Sequence, residues 1–267
     1  MSLSRSGICY LSHVWNVAVG CERGCPYCWA RERWAPRMAH TCQLCGTFTP
    51  HIHPERLKDV TPRQSPKTVG LGFFGDLFGP WDWVWPMDGD VGTRELCELL
   101  CKVMAVGPQH TFIAPTKFPE NIPAGVDWPE NWWLLVTCTN QADVDERAPA
   151  ALAAGVPHVV LNLEPLCGPL DLRYWLAPTA QLDADRQLEL GPSWFAGVIL
   201  GGMSGQDATP MAHDIPRSVR DQCAEAGIPY YLKQWSAANP GDVDESGAPI
   251  LDGTTHRRLP WIRKDTT

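Results

Sequence analysis

The chain has no excess of positive charge and no long apolar run. Its 267 residues include 22 Lys and Arg against 30 Asp and Glu, a formal net charge of −8. Proteins covered with nucleic-acid contacts usually show a basic face, so the net charge does not indicate nucleic acid as a partner. No stretch contains the run of about 7–15 apolar residues that a secretory signal needs, or the run of about 20 apolar residues that a membrane helix needs. We therefore expect a cytoplasmic protein with no membrane partner.

A disulfide framework is not expected either. Thiols stay reduced in the cytosol, and the count of eleven cysteines is odd. Such cysteines are better explained as metal ligands or as small buried hydrophobes. No internal repeat and no low-complexity tract interrupts the chain, and its 44% hydrophobic residues are typical of a globular protein.

Short apolar runs alternate with amphipathic segments along most of the chain. The runs, which predict strands, cover residues 13–20, 68–75, 110–116, 132–139, 158–166, 195–202 and 229–235. The amphipathic segments 93–107, 143–157 and 216–229 predict helices, because each has helical spacing and a Gly at or near its end. Strands that alternate with helices indicate a parallel sheet with crossover helices.

We therefore predict an α/β fold, a partial (β/α) TIM-like barrel over residues 1–235. A barrel is favoured over a doubly wound sheet because polar residues gather just after the apolar runs, where a barrel has its active-site rim. Residues 40–67 form a small insertion that contains Cys and His, and residues 236–267 are predicted to be a polar C-terminal tail.

The stretch "GCERGCPYCWA" (20–30) places Cys21, Cys25 and Cys28 on one short loop, directly after the first predicted strand. Three thiolates can hold three corners of a [4Fe–4S] cluster, which leaves the fourth iron open for chemistry. The alternative is a zinc site that a distant Cys or His completes.

This Cys-x3-Cys-x-Tyr-Cys pattern, with Tyr27 as the aromatic residue, resembles the radical S-adenosylmethionine (SAM) superfamily. The resemblance implies that SAM chelates the open iron and that an electron from the reduced cluster cleaves SAM to a 5′-deoxyadenosyl radical, which abstracts hydrogen from the substrate. It also implies an electron donor such as flavodoxin or ferredoxin. The cofactor supplies the chemistry, and the protein supplies orientation.

A second resemblance covers most of the chain. The segments "FFGDLFGP", "PQHTFIAPTKFPEN", "NQADVDERAP", "LEPLCGPLDL" and "GGMSGQDATPM" resemble the phage Gp37/Gp68 family, also called DUF5131 or three-Cys-motif proteins. That family implies an origin in phages or prophages and carries no established activity. Its first cysteine gap is usually longer, so the shorter gap here is closer to the radical-SAM pattern.

Further cofactor-binding candidates follow the second and third predicted strands. Gly75 permits close backbone approach, and Asp76 can accept a bond from the SAM ammonium, unless it caps the next helix. Thr116 and Lys117 can contact the SAM carboxylate or an anionic substrate, and we consider Lys117 a catalytic candidate. The alternative for Lys117 is a solvated lysine on the rim.

The later strands supply the remaining candidates. Thr139 and Asn140 are candidates for binding ribose hydroxyls, and the backbone around Gly202 and Ser204 can approach SAM unless it is only a tight turn. Glu164 ends a very apolar strand and is the second catalytic candidate. Since a buried carboxylate is costly without a partner, we expect Glu164 to have a partner or a ligand.

The insertion contains its own candidate metal site. Cys42 and Cys45 form a Cys-x2-Cys knuckle, and His51 and His53 follow it. Two thiolates with one or two imidazoles match a tetrahedral zinc site, which would pin an insertion that has little core of its own. His40 is another candidate ligand, and an auxiliary iron–sulfur cluster or unliganded thiols are the alternatives.

The sequence thus favours a radical SAM enzyme that acts on a small molecule or nucleotide, since planar bases would suit the 13 tryptophans. Three of these lie in "WDWVW" (81–85), where they either fill the core or line a pocket. The rival is a non-catalytic zinc-binding nucleic-acid adaptor protein of phage origin. A third alternative is a barrel whose cluster only senses redox state.

Overall fold

The computed structural model describes residues 3–86, 89–176 and 194–262. The chain divides into two compact units. The first unit comprises Met1–Leu134 and Ala154–Pro157, and the second comprises Leu135–Ala153 and His158–Thr267. Among the described residues, no helix combines the length and the apolar character that crossing a membrane requires.

The first unit contains eight complete strands and the start of a ninth. They are β1 (Ser4–Arg5), β2 (His13–Trp15), β3 (Ala18–Val19), β4 (His51–Ile52), β5 (Thr68–Leu71), β6 (Trp83–Trp85), β7 (Gly89–Val91), β8 (Thr111–Thr116) and β9 (Trp132–Thr137). Its helices are a π-helical segment (Ala30–Trp34), α1 (Ala35–Met38), α2 (Gln43–Thr47) and α3 (Thr93–Val106), with 3₁₀ segments at Pro54–Asp59 and Pro119–Asn121.

These strands form two sheets. The larger sheet has the order β1-β2-β5-β8-β9, in which β2, β5 and β8 pair in parallel and β1 pairs antiparallel with β2. The smaller sheet has the order β3-β4-β6-β7. Helix α3 buries Leu96, Leu100 and Met104, which recur at helical spacing, so its apolar stripe explains why this segment is helical.

The second unit continues with parallel strands. It contains the end of β9, then β10 (Val159–Leu163), β11 (Phe195–Gly201) and β12 (Tyr230–Gln234), and these strands neighbour one another in that order. All five residues of β10 are buried, as expected of a strand covered on both faces. The helices are α4 (Gln141–Ala153), α5 (Arg173–Leu176) and α6 (Asp214–Glu225).

The structure confirms the predicted helices within a few residues and places a strand in every predicted run. The first run is divided, because residues 13–20 contribute β2 to one sheet and β3 to the other. From β2 onward, the strand order in the larger sheet of the first unit and in the second unit follows the chain order. A (β/α) barrel has the same sequential order, but the barrel itself stays a prediction.

The C-terminal segment contains a short hairpin. Strands β13 (Ile250–Leu251) and β14 (Thr254–Thr255) pair antiparallel, and Ala248, Leu251 and Leu259 are buried. The segment predicted as a polar tail therefore contributes apolar side chains to the second unit. Residues 263–267 of that prediction lie outside the described residues.

Candidate functional site

Four ligand-type side chains of the first unit come together in the predicted insertion. They are Cys42, Cys45, His51 and His53, here called the Cys2His2 group, and their ligand atoms all lie within 4.8 Å of one another. Sγ of Cys45 lies 3.4 Å from Nε2 of His51 and 3.3 Å from Nε2 of His53. A tetrahedral zinc ion would hold sulfur and nitrogen about 3.5 Å apart. The group could therefore hold a metal ion.

The outer nitrogens of both histidines have partners. Nδ1 of His51 lies 2.7 Å from the carbonyl oxygen of Thr49, and Nδ1 of His53 lies 3.2 Å from a carboxylate oxygen of Glu55. Both oxygens only accept, so each neutral imidazole carries its proton on Nδ1. The two Nε2 lone pairs then face each other across 3.0 Å, an arrangement that is repulsive unless a cation lies between them. Such outer contacts are also what orients metal-ligating histidines.

Burial controls the charges of this group. It lowers the pKa of His53 to about 4 and also lowers the pKa of His51, so both imidazoles are neutral at neutral pH. Burial raises the pKa of Cys45 to about 12, so a cation is needed to stabilise its thiolate. His40, the other candidate ligand, is exposed and is not a member of the group.

The three-cysteine loop, residues 21–28, begins directly after β3. Gly20 has a φ of 103°, and a Cβ at this position would lie 2.3 Å from the carbonyl oxygen of Thr49. Only glycine fits a left-handed position with no room for a side chain. The N–H of Cys21 then donates to the carbonyl of Phe48 over 3.2 Å. The start of the loop is therefore held against the segment that joins α2 to β4.

The loop is also anchored at its other side. Cys21 and Cys28 both pack against a buried cluster of Ala30, Ala35 and Phe48. The N–H of Cys28 donates to the carbonyl of Cys25 over 3.1 Å, which closes a tight turn. Each of the three cysteines remains partly accessible. The loop therefore presents its thiols at a surface with a fixed apolar base.

A partly buried arginine contact supports the same loop. The guanidinium of Arg31 donates a hydrogen bond to the carbonyl oxygen of Cys21 and lies 5.2 Å from the ring centre of Phe48. Trp29, which follows the last cysteine, is 46% exposed and has an edge-on contact with Phe74. Arg31 of the π-helical segment therefore fixes the loop, and Trp29, just before that segment, presents an aromatic side chain to solvent.

The three thiols are close enough to affect one another electrostatically. The pKa of Cys21 is raised to about 12, mainly by burial and also by the charges of Asp76, Cys25 and Cys28, against a hydrogen bond from the N–H of Arg23 that lowers it. In the part of the chain that the structure describes, these cysteines do not form a group with the close spacing of the Cys2His2 group. Ligands of a single ion must converge, whereas the ligands of a cubane cluster bind different irons. The cluster at these three cysteines stays a prediction.

Asp76 is buried and connects the ends of β5 and β8. Its Oδ1 accepts bonds from the hydroxyl of Thr116 over 2.7 Å and from the N–H of Phe78 over 3.2 Å. Its Oδ2 accepts from the N–H of Lys117 over 2.8 Å. Burial raises the pKa of Asp76 more than these three bonds lower it. The carboxylate thus joins two strand ends and does not cap a long helix.

The structure brings the other candidates of the first unit close to the three-cysteine loop. Nζ of Lys117 lies 5.7 Å from the ring centre of Tyr27, and the Lys117 carbonyl accepts from Arg23 over 3.5 Å. The Thr116 hydroxyl accepts from the N–H of Phe118 over 2.9 Å, in addition to its bond to Asp76. A Cβ on Gly75 would lie 2.4 Å from the carbonyl of Gly20, so its backbone approaches the loop itself.

Glu164 has the partner that its burial required. In the second unit, Nζ of Lys233 donates to Oε1 of Glu164, and the two side chains are only 16% and 19% exposed. A Cβ on Gly201 would lie 3.2 Å from the same oxygen, so this glycine leaves room for the carboxylate. The pair joins the ends of β10 and β12. From the sequence, Lys233 was expected to close the last strand and face substrate, and its pairing with Glu164 was not expected.

The other candidates of the second unit mainly bond to protein groups. Thr139 donates from its N–H and its hydroxyl to Asp143, at 2.8 and 2.7 Å, and Asn140 accepts from the Asp143 N–H over 3.0 Å. Both therefore cap the start of α4. Gly202 approaches the backbone of Ser236, because a Cβ there would lie 2.3 Å from its nitrogen. Ser204 is exposed.

The tryptophans of residues 81–85 include one that fills the core and one that lines a pocket. Trp83 is completely buried and belongs to the core. Trp81 lines an open pocket of about 340 Å³ with Asp82, Thr93 and Asn121 among its neighbours, and packs edge-on against Phe118.

Sequence analysis did not identify Phe48 and Thr49 as supports of the loop. Their role depends on backbone carbonyls, which every residue has, so no side-chain pattern could have marked them. The left-handed φ of 57° at Phe48 is also not expected for an aromatic residue.

Comparison with protein families gives one result. A family model described as a protein of unknown function (DUF5131) matches residues 5–260, and the chain therefore belongs to this family. This confirms the DUF5131 family that the sequence motifs suggested, whereas the Gp37/Gp68 naming and the radical SAM link stay predictions. No curated protein and no solved structure matches the chain.

Proposed function

We propose that this DUF5131 protein is a radical SAM enzyme that holds a [4Fe–4S] cluster on Cys21, Cys25 and Cys28. The observation that carries the proposal is the arrangement of these thiols. They lie on one short loop, interact electrostatically and remain partly accessible, and among the described residues they do not form a group as closely spaced as the Cys2His2 group. Three thiolates satisfy three irons of a cubane and leave the fourth for a small molecule.

When bound, the cluster supplies the electron that cleaves SAM into methionine and the 5′-deoxyadenosyl radical. The chain's own residues orient the reactants. Arg31 fixes the carbonyl of Cys21, and Asp76 holds the backbone of Lys117, whose ammonium is near Tyr27. Lys117 would bind the carboxylate of SAM or of an anionic substrate as a compact positive charge.

The proposal includes the remaining parts of the prediction. Glu164, held by Lys233, is the second catalytic candidate, and the sequential strand order within each unit supports the partial barrel. The substrate is a small molecule or a nucleotide, and a flavodoxin or ferredoxin supplies the electron. We assign no step to Thr139 and Asn140, because their polar groups bond to Asp143 at the start of α4.

We further propose that the Cys2His2 group binds Zn²⁺. Its mixture of two thiols and two imidazoles matches structural zinc sites, which are tetrahedral and closed. An auxiliary iron–sulfur cluster would need wider spacing than the observed contacts of 3.3 to 3.6 Å between sulfur and nitrogen. Unliganded groups would leave the two facing Nε2 lone pairs uncompensated.

The test is SAM cleavage by protein prepared without oxygen. The full chain is reconstituted with iron and sulfide, reduced, and supplied with SAM, and 5′-deoxyadenosine is measured by liquid chromatography. We expect a brown protein that forms 5′-deoxyadenosine, and we expect Cys28→Ser to form none. Cys9→Ser is the matched control, since Cys9 is an exposed cysteine outside the loop.

The rival functions predict different results. A zinc-binding adaptor would be colourless, with zinc at both cysteine sites and no 5′-deoxyadenosine. A redox sensor would be brown but would bind SAM poorly and form no product. Either result, obtained with reconstituted and reduced protein, would refute the enzymatic proposal.

A further inference from the structure

The Cys2His2 group lies directly behind the start of the three-cysteine loop. We propose that the metal ion it binds is a brace that fixes the position of Gly20 and Cys21, and so determines whether the loop can present its thiols. This inference rests on the proposed zinc ion. It does not depend on what the three cysteines bind, and it can be tested on protein that contains no iron.

The first connection runs through the smaller sheet. Strand β3 leads into the loop and pairs antiparallel with β4, with Val19 opposite the ligand His51. The N–H of the second ligand, His53, donates to the carbonyl of Val17 over 2.7 Å. Both histidine ligands therefore neighbour β3, which ends just before Gly20, and an ion that holds these histidines also holds that strand.

The second connection runs through two peptide groups between the ligands Cys45 and His51. The Phe48 carbonyl accepts from the N–H of Cys21, and the Thr49 carbonyl contacts Gly20 so closely that only glycine fits. The same Thr49 carbonyl also accepts from Nδ1 of His51 over 2.7 Å. One backbone segment thus orients a metal ligand and positions the first residues of the loop.

This segment has little stability of its own. Helix α2 has only five residues, from Gln43 to Thr47, and isolated helices shorter than about 12 residues are marginal in water. The helix ends at Phe48 in a left-handed conformation, which is costly for a residue other than glycine. Cys42 lies at its N-terminal cap and Cys45 in its centre. Cys42 and Cys45 come from α2 and its cap, and His51 and His53 come from β4 and the residue after it. One ion bound to all four would therefore hold the segment between α2 and β4 in place.

The contacts do not suggest that the ion depends on the three-cysteine loop. The Cys2His2 group contains no member of the three-cysteine loop, and its outer partners are Thr49 and Glu55. We therefore expect the ion to bind whether or not the loop is occupied. We also expect Cys21 to become more accessible when the ion is removed.

The experiment measures the alkylation of single cysteines in the iron-free full-length protein. Zinc is removed with a chelator, iodoacetamide is added, and the rate at each cysteine is read by mass spectrometry. We expect the rate at Cys21 to rise about tenfold, because local opening exposes it, and to return when Zn²⁺ is restored. Cys223, buried in the second unit, should stay protected and reports on global unfolding.

Variants supply the same comparison without a chelator. Cys42→Ser and His53→Gln should lose zinc and show the faster alkylation of Cys21, whereas His40→Gln, an exposed histidine of the same insertion, should behave as wild type. An unchanged alkylation rate at Cys21 after zinc loss would overturn the proposal that the ion acts as a brace. A wild-type protein that binds no zinc at all would also overturn it. Equal acceleration at Cys21 and Cys223 would also overturn it, because it would show that the whole chain unfolds.

Discussion

The two cysteine-containing sites of the first unit differ in how their ligand atoms are arranged. In the Cys2His2 group, four ligand atoms lie within 4.8 Å of one another, and both outer imidazole nitrogens are hydrogen-bonded. In the three-cysteine loop, three thiols interact electrostatically, and the main supports of the loop are backbone contacts. The first arrangement could hold one ion, and under our proposal the second holds a cluster with one open iron.

This difference separates a structural site from a reactive one. A closed set of four ligands excludes substrate and stabilises the fold, whereas an incomplete set leaves a coordination position for chemistry. The Cys2His2 group lies behind the start of the three-cysteine loop, and Phe48 and Thr49 contact both. Substitutions that affect one site and leave the other intact are therefore the clearest way to test the comparison.

The largest expected effect is a complete loss of iron in Cys25→Ser. Two remaining thiolates do not hold a cubane cluster, whereas the Cys2His2 group keeps all of its ligands. Elemental analysis after anaerobic reconstitution should therefore find zinc at the wild-type level and no iron. Cys167→Ser, at another accessible cysteine, should retain both metals. Loss of zinc together with retention of iron in Cys25→Ser would reverse our assignment of the two sites.

The next effect concerns the fold. Cys45→Ser removes a buried ligand, and we expect it to lower the free energy of unfolding by about 4 kcal/mol, in the range typical of losing a structural metal. Denaturant unfolding followed by circular dichroism measures the change. A chelator should destabilise the wild-type protein and should have little further effect on the variant. Equal sensitivity of both proteins to the chelator would contradict a closed zinc site at this position.

Gly20→Ala tests the contact between the two sites directly. Its φ of 103° disfavours any side chain, and the added Cβ would lie 2.3 Å from a backbone oxygen. We expect a loss of about 3 kcal/mol in unfolding free energy, from backbone strain and overpacking together. Gly7→Ala is the control, because a Cβ at Gly7 meets nothing within 4 Å. Similar stability of the two variants would show that the loop does not depend on this contact.

Lys117→Met sharpens the comparison on the reactive side. If Lys117 binds a carboxylate, the variant should raise the KM for SAM about tenfold and change kcat little, since the charge contributes mainly to binding. Steady-state formation of 5′-deoxyadenosine gives both constants. Lys102→Met, at an exposed position of α3, should leave them unchanged. An unaltered KM in Lys117→Met would remove this residue from the proposed site.

The smallest effect is expected at a residue that belongs to neither site. In the second unit, hydrogen bonds from Arg217 and Arg220 lower the pKa of Asp252. A lowered carboxyl pKa stabilises the fold above the unfolded value of about 3.9, and this contribution is lost as the pH falls through the folded value. Asp252→Asn should slightly lower the Tm at neutral pH, converge with wild type in acid, and leave both metal contents unchanged. A change in the zinc or iron content would show that this carboxylate influences the metal sites.

Local patterns predicted most of the elements. Leu96, Leu100 and Met104 at helical spacing were sufficient for α3, and the apolar run of residues 158–166 was sufficient for β10. The Cys2His2 group was also predictable, because its four residues lie within twelve positions and zinc ligands have characteristic spacing. In each case the physical cause acts over a short stretch of chain.

Contacts between distant residues were not predictable in the same way. Asp76 binds Thr116 forty positions away, and Glu164 binds Lys233 sixty-nine positions away. The sequence marked Asp76 and Glu164 as polar residues at strand ends, but it could not assign their partners, because these depend on strand register. The contact of Thr49 with Gly20 involves a backbone carbonyl, which leaves no trace in residue type.

The most direct test of the central claim is the electron paramagnetic resonance spectrum of the reduced, reconstituted protein, recorded with and without SAM. Our account predicts about four irons per chain and a cluster signal that changes when SAM is added, because SAM binds the iron that no cysteine holds. A protein that takes up no iron, or a cluster signal that SAM leaves unchanged, would contradict it.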